Sequence, residues 1–225
     1  VVVPRSPQFL KSAREILHVG VPAAGTNLIQ PASTAVVTML LAPHGPTVVA
    51  GFGVGSRIET VVAMVAIGIS TSVVPLVGQN WGARQFERVR AALRFCYISC
   101  LIWGVIAAAM MWLGADTYVR WVNEDPELVG TATLYLAIVP VSIGFMGMLN
   151  VANHAFNAIR QPMPALVLSL ARLFAVYVPL ALIGDQFFGF VGIFGAMAAS
   201  NVIMGVVAWR WNARTLTLAE RSLSR

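Results

Sequence analysis

Charged side chains are scarce in this sequence. Asp, Glu, Lys and Arg together make up 11% of its 225 residues, whereas soluble domains carry about a quarter. Hydrophobic residues supply 58%, and they fall in runs that each reach the roughly 20 residues of a membrane-crossing helix. The composition therefore excludes an ordinary soluble domain and indicates an integral membrane protein of about six spans.

Residues and motifs that build catalytic or metal sites are also few. Cys96 and Cys100 have no neighbouring His or Cys cluster, and we interpret them as apolar filler rather than zinc ligands. The glycine run from Gly51 to Gly55 precedes a membrane span, so it indicates close packing or a break in a short helix, not a nucleotide-binding loop. The sequence has no H-E-x-x-H, no G-x-S-x-G and no paired intramembrane carboxylates. We therefore expect no enzyme, no cofactor and no bound metal.

Six apolar segments follow one another and predict an all-α, polytopic membrane bundle of six transmembrane helices. Their expected bounds are Ile16 to Ala42, Ser56 to Val77, Val89 to Leu113, Leu128 to Asn150, Pro164 to Gly184 and Phe187 to Trp211.

The loops between these segments alternate in charge, and cytoplasmic loops are the basic ones. One set of loops has Arg120 as its only basic residue, so an even number of spans with both ends in the cytoplasm satisfies the pattern. The net charge of +6 is thus explained by basic residues in the cytoplasmic loops of a protein in the inner (plasma) membrane, and no nucleic-acid surface is predicted. The residues placed on the cytoplasmic side are Arg5, Lys11, Arg14, Arg84, Arg88, Arg90, Arg94, Arg160, Arg210, Arg214, Arg221 and Arg225.

The chain begins V-V-V-P-R-S-P-Q without an initiator Met. We expect a fragment or the second half of a larger protein, with a natural half-size protein as the alternative. Residues 1–15 are expected to form a cytoplasmic lead-in, 16–212 the membrane lobe and 213–225 a cytoplasmic tail.

A polar stripe runs along one face of the first segment. It consists of Asn27, Gln30, Thr34 and Thr38 at helical spacing, and Pro31 removes a backbone hydrogen bond beside it. Polar groups inside a membrane are costly and often functional, so the stripe predicts a substrate cavity with a hinge at Pro31. Static interhelical hydrogen bonding is the alternative.

The fourth segment has a comparable face below Pro140, a second candidate hinge. Met146, Asn150 and Asn153 recur at three or four residues, and they are expected to line the same cavity. Capping and solvation of the helix end is the alternative for the asparagines.

Two further charged residues lie within or beside the apolar segments. Glu59 is expected at the membrane edge, with Arg57 as an interface anchor. Arg172 is expected to extend its side chain to the cytosol, or to have a buried structural role.

Several segments, in this order and spacing, resemble the C-terminal half of multidrug and toxic compound extrusion (MATE) transporters. The match covers about Gly20 to Trp211, nearly the whole chain. The segments are G-V-P-A-A-G-T-N-L-I-Q-P-A-S-T, L-L-A-P-H-G-P-T-V-V-A-G-F-G-V-G-S-R-I-E, P-L-V-G-Q-N-W-G-A-R, Y-L-A-I-V-P and A-F-N-A-I-R-Q-P.

The resemblance implies one lobe of a twelve-helix antiporter that exports bulky, often cationic drugs in exchange for H⁺ or Na⁺ by alternating access. Its partners would be the N-terminal six-helix lobe and membrane lipids. In the sodium-coupled branch of the family, acidic residues stand at positions that correspond to Gln30 and Met146. Neither of these can ionise, so we expect coupling, by protons, in the N-terminal half.

Two alternatives remain at this point. A flippase for lipid-linked precursors, from the same wider superfamily, would need a more cationic cavity, for which Arg172 and Arg57 are the candidates. A non-transport membrane assembly protein is the other alternative.

Overall fold

The structure, a computed structural model, describes residues 6–223, with some side chains in the first and last helices outside the described part. Within this range, six long helices follow one another and no strand is present. They are α1 (Ser6–Leu41), α2 (Pro46–Gly82), α3 (Phe86–Arg120), α4 (Pro126–Ala158), α5 (Pro162–Phe188) and α6 (Phe190–Leu223). The predicted all-α class is confirmed.

Local sequence explains where these helices begin. Pro46, Pro126 and Pro162 occupy the first turn of α2, α4 and α5, where the missing N–H of proline costs nothing. At the start of α4 the carboxylate of Asp125 also accepts a hydrogen bond of 3.0 Å from the backbone N–H of Glu127.

Five helices, α2 to α6, are long and apolar enough to cross a membrane, judged on the described residues. The first predicted segment lies in α1, which has 36 residues. The turn between α5 and α6 is at Gly189, with φ of 59°, whereas the prediction placed it around Asp185. Helix α1 begins before residue 16 and α6 ends after residue 212, so parts of the expected lead-in and tail are helical. Their place outside the membrane stays a prediction.

Three of the helices contain irregular segments. In α2 the regular helix is interrupted at Ser72, and in α4 a 3₁₀ turn, Val139–Ser142, contains Pro140. In α5 a π-helical segment spans Ala171–Tyr177. Such segments often accompany functional sites in helices.

Helix α4 forms the centre of the bundle. Of its most apolar stretch 61% is buried, against 28–39% for the other four candidate spans, and it packs on α2, α3, α5 and α6. The approach to α3 is close, because a Cβ on Gly104 would lie 2.5 Å from the backbone nitrogen of Gly144.

The contact between α2 and α4 depends on the glycine run. A Cβ on Gly51 would lie 2.8 Å from Cβ of Thr131, and one on Gly55 would lie 2.7 Å from Cδ1 of Tyr135. The run therefore lies inside α2 as a close-packing surface, one of the two structures that the sequence indicated.

The two ends of the bundle differ in charge. The α2–α3 and α4–α5 connections and the last turns of α6 form the arginine-rich end, where Arg90 of α3 pairs with Glu220 of α6. At the opposite end, His44 in the α1–α2 connection contacts Asp185 of α5, with Nε2 and Oδ1 2.6 Å apart. The sides of the bundle expose large apolar residues, as contact with lipid requires.

Candidate functional site

A polar cavity of about 130 Å³ opens among α1, α2, α4, α5 and α6. From α1 it is lined by Gln30, Ser33 and Thr34, and from α2 by Ser56, Glu59 and Thr60. Hydroxyl, amide and carboxylate groups thus converge in an open cleft of an otherwise apolar bundle, where Gln30, Thr34 and Thr60 are exposed and Ser33, Ser56 and Glu59 are half-buried. Such a concentration inside membrane spans is typical of a substrate or ion pathway.

The carboxylate of Glu59 accepts a short hydrogen bond from the hydroxyl of Tyr135 on α4. Tyr135 is buried, and its ring packs edge-on against Phe52 and Phe194 at centroid distances of 5.5 and 5.1 Å. An aromatic wall therefore fixes the hydroxyl that positions the carboxylate.

Arg172 of α5 supplies a positive charge to the same cavity. Its guanidinium donates to Oγ of Ser33 at 3.1 Å and to Oδ1 of Asn201 at 3.3 Å. Asn201 in turn donates to Oγ of Ser142 at 2.9 Å, so this network joins α5, α1, α6 and α4. No carboxylate among the described residues forms an ion pair with Arg172.

The cavity also contains a buried polar group that has no partner in the structure. The hydroxyl of Tyr177, at the end of the π-helical segment, is buried without a hydrogen bond. Unpaired buried hydroxyls are uncommon, so this one is available to a ligand or a water molecule in the cavity.

Three of the predicted site residues meet in this cavity: Gln30, Thr34 and Met146. Thr38 is one turn beyond it, and its hydroxyl donates to the carbonyl oxygen of Thr34 at 2.9 Å. Thr38 lines a separate, open groove along α1, which Thr34 also borders. The side chain of Asn27 lies outside the described residues.

The asparagines predicted on α4 lie closer to the arginine-rich end. Asn153 is buried and donates to Oγ of Ser169 at 3.2 Å, while its own Oδ1 has no partner. Asn150 is half-buried, and neither residue lines the cavity. In this structure Asn153 contributes to the packing of α4 against α5.

The two predicted hinges differ in structure. Pro140 lies in the 3₁₀ turn that divides α4, between Tyr135 and Met146 in sequence. Pro31 is exposed, and α1 continues through it as one helix. A break in the regular helix is therefore observed at Pro140.

The sequence-based placement of Glu59 was wrong, whereas Arg172 has the internal position that was left open as an alternative. Glu59 is thirteen residues beyond Pro46, where α2 begins, and not at the start of the span. Arg172 contacts Ser33 and Asn201 in the cavity and does not extend to the arginine-rich end. The earlier start of α2 could have been predicted from Pro46, which follows the loop residue Gly45. No comparable signal identified the partners of Arg172.

A resident metal site is not formed by the acidic, histidine and cysteine side chains that the structure describes. No three of them lie together. Cys96 and Cys100 are both unpaired and buried in the apolar core.

A six-helix membrane bundle with a charged internal cavity is the structure of a transporter lobe. The family model MatE matches residues 22–183, and the chain therefore belongs to the MATE transporter family. It is 31% identical over 195 residues to the "FAD transporter" of Shewanella oneidensis, which covers 87% of this chain and 43% of that protein. It is 23% identical over 223 residues to the "Probable multidrug resistance protein NorM" of Thermotoga maritima, which covers 96% of this chain and 48% of the relative.

The fold is also that of solved transporters. The MATE transporter VcmN of Vibrio cholerae, crystallised in the bent form, superposes with a TM-score of 0.88 at 28% identity. The match covers 93% of this chain and 48% of VcmN. The chain thus spans about half the length of the relatives it matches, and its six helices correspond to one lobe of the twelve-helix fold.

Proposed function

We propose that this chain is the C-terminal lobe of a secondary antiporter that exports bulky, often cationic compounds by alternating access. The observation that carries the proposal is the polar cavity, in which Gln30, Thr34 and Met146 lie with the carboxylate of Glu59. Amide and hydroxyl groups orient a ligand there, Met adapts to different apolar shapes, and the carboxylate attracts a cation.

A volume of about 130 Å³ is small for a bulky compound. The cavity is therefore proposed as one wall of a larger chamber, whose other wall belongs to an N-terminal six-helix lobe. The relatives that are about twice as long as this chain support a second lobe of that size.

Rocking of the lobe is proposed to use the existing break in α4. The 3₁₀ turn at Pro140 separates Tyr135, which binds Glu59, from Met146, so bending there changes the spacing of the cavity groups. Pro31 is retained as a second hinge because its missing N–H weakens α1 beside Gln30.

The arginine-rich end is proposed to face the cytoplasm, with the protein in the inner membrane and both ends of the chain inside. Coupling to H⁺ or Na⁺ is proposed to reside mainly in the other lobe. Gln30 and Met146 cannot ionise, and the protein acts as a transporter and not as an enzyme.

The proposal is tested by measuring ethidium export from cells that express the whole transporter. Glu59→Gln is expected to slow export about tenfold, because a charged contact is lost, and Gln30→Leu about fivefold. Glu124→Gln and Gln79→Leu replace exposed residues outside the cavity and serve as matched controls. Normal resistance in both cavity variants, at expression equal to that of the controls, would show that the cavity is structural.

A second candidate function follows from Arg172. A guanidinium without a carboxylate partner suits an anionic, phosphorylated substrate, and the 31% identical relative is named as a transporter of FAD, a dinucleotide. A lipid-linked precursor belongs to the same chemical class. Arg57, however, is exposed and does not line the cavity, so one guanidinium is present where a flippase is expected to need several.

A further inference from the structure

A second, larger groove lies on the outside of the bundle between α3 and α6. Its volume is about 640 Å³, and it shares no lining residue with the polar cavity. Phe145 and Met148 of α4 form its floor, and its walls include Leu93, Ile98 and Val206. The groove is at the arginine-rich end, and its surface is mostly apolar.

One strongly buried polar side chain lines this apolar groove. Asn212 of α6 is 1% exposed, and its Oδ1 accepts a hydrogen bond of 3.3 Å from the hydroxyl of Tyr97 on α3. Its Nδ2 is buried and has no partner. Burying an amide donor without an acceptor is costly, so the groove offers a hydrogen-bond donor to whatever occupies it.

Two arginines, Arg90 and Arg94, line the mouth of the groove. Arg90 is already paired, with Oε1 of Glu87 at 2.7 Å and with Glu220. Arg94, one turn further along α3, also lines the groove, is exposed, and forms no ion pair with any described residue. Among the described residues that line the groove, Arg94 is therefore the cation without an ion pair, and it lies at the edge of the apolar surface.

We propose that this groove binds one anionic phospholipid from the leaflet on the arginine-rich side. The phosphate would contact Arg94, an acyl chain would lie over Phe145 and Met148, and an ester carbonyl would accept from Nδ2 of Asn212. The cation, the amide donor and the apolar floor match the phosphate, an ester carbonyl and an acyl chain of the lipid. These groups follow one another in the same order in a lipid of the bilayer. The proposal does not depend on the substrate of the polar cavity.

The test compares lipid retention by the whole transporter in native mass spectrometry. The protein is purified from mixed micelles with phosphatidylglycerol or phosphatidylethanolamine, and inorganic phosphate is used as a third probe. Arg94→Gln is expected to weaken retention of phosphatidylglycerol about fivefold. Arg88→Gln removes an exposed arginine of the same helix that does not line the groove, and is expected to leave retention unchanged.

A second variant tests the apolar part of the site. Ala213 is exposed and lines the groove, so Ala213→Phe fills it without disturbing the core, and retention of phosphatidylglycerol is expected to fall at least as far as in Arg94→Gln. Equal retention in Arg94→Gln and Arg88→Gln would overturn the proposal. So would normal retention in Ala213→Phe, or competition by inorganic phosphate as strong as by the lipid.

Discussion

Two ionisable side chains, the acidic Glu59 and the basic Arg172, line the same small cavity. Glu59 is held by Tyr135, and Arg172 is held by Ser33 and Asn201, so each charge has neutral partners instead of forming an ion pair with the other. Neither side chain forms an ion pair with a described residue. A cation is expected to use Glu59, and an anion is expected to use Arg172.

Replacement of Arg172 separates these two functions. In the whole transporter, Arg172→Gln is expected to reduce ethidium export less than twofold, since a cation gains nothing from a guanidinium. Export of an anionic dinucleotide would fall about tenfold or more if that were the substrate. Initial export rates of both compounds are the measurement, with Arg172→Lys as the charge-retaining control. Loss of ethidium export in Arg172→Gln that Arg172→Lys restores would contradict the cationic assignment.

These residues also show what the sequence could predict. The polar stripe correctly placed Gln30 and Thr34 on one face, since helical spacing alone determines that. Glu59 was misplaced because its depth depends on where α2 begins, ten residues before Ser56, the expected start. The partners of Arg172 could not be predicted, because its contacts with Ser33 and Asn201 depend on how three helices pack around a π-helical segment.

At the level of helices, the contact between α2 and α4 supports one whole side of the cavity, because it positions Glu59 beside Tyr135. Gly51 faces Thr131 so closely that a Cβ would lie 2.8 Å from two of its side-chain atoms and 3.2 Å from the carbonyl oxygen of Leu128. Neither neighbour is the flexible end of a long side chain. The pair of helices therefore depends on glycine at this position.

Gly51→Ala is expected to destabilise the protein by about 1–3 kcal/mol, since overpacking forces the helices apart. Gly53→Ala is the matched control: no heavy atom lies within 4 Å of its added Cβ, and alanine favours a helix by up to about 1 kcal/mol. Apparent melting temperatures in detergent compare the two. A Gly51→Ala protein as stable as Gly53→Ala would show that the helices are not packed so closely.

The irregular segments are a further feature that periodicity did not predict in full. Pro140 identified the break in α4, because proline cannot donate the backbone hydrogen bond of a regular helix. No proline or glycine lies within the π-helical segment Ala171–Tyr177, but Pro179 follows it by two residues and cannot donate the hydrogen bond to the carbonyl oxygen of Ala175, four residues earlier. The segment contains Arg172, whose side chain contacts Ser33 of α1 and Asn201 of α6.

For the whole molecule, the bundle presents two distinct regions. The polar cavity uses α1, α2, α4, α5 and α6, whereas the apolar groove lies between α3 and α6. We expect the cavity to face a second lobe and the groove to face lipid. The proposed substrate and second lobe would then contact one region of the lobe, and lipid the other.

We propose that this lobe supplies one wall of a transport path and needs a second lobe to complete it. The most direct measurement is uptake of ethidium against its gradient in vesicles under an imposed pH or Na⁺ gradient. The whole transporter is compared with the 225-residue chain alone, after circular dichroism has shown that both are helical. Accumulation is expected with the whole transporter and none with the folded single lobe. Accumulation by the 225-residue chain alone would contradict the proposal.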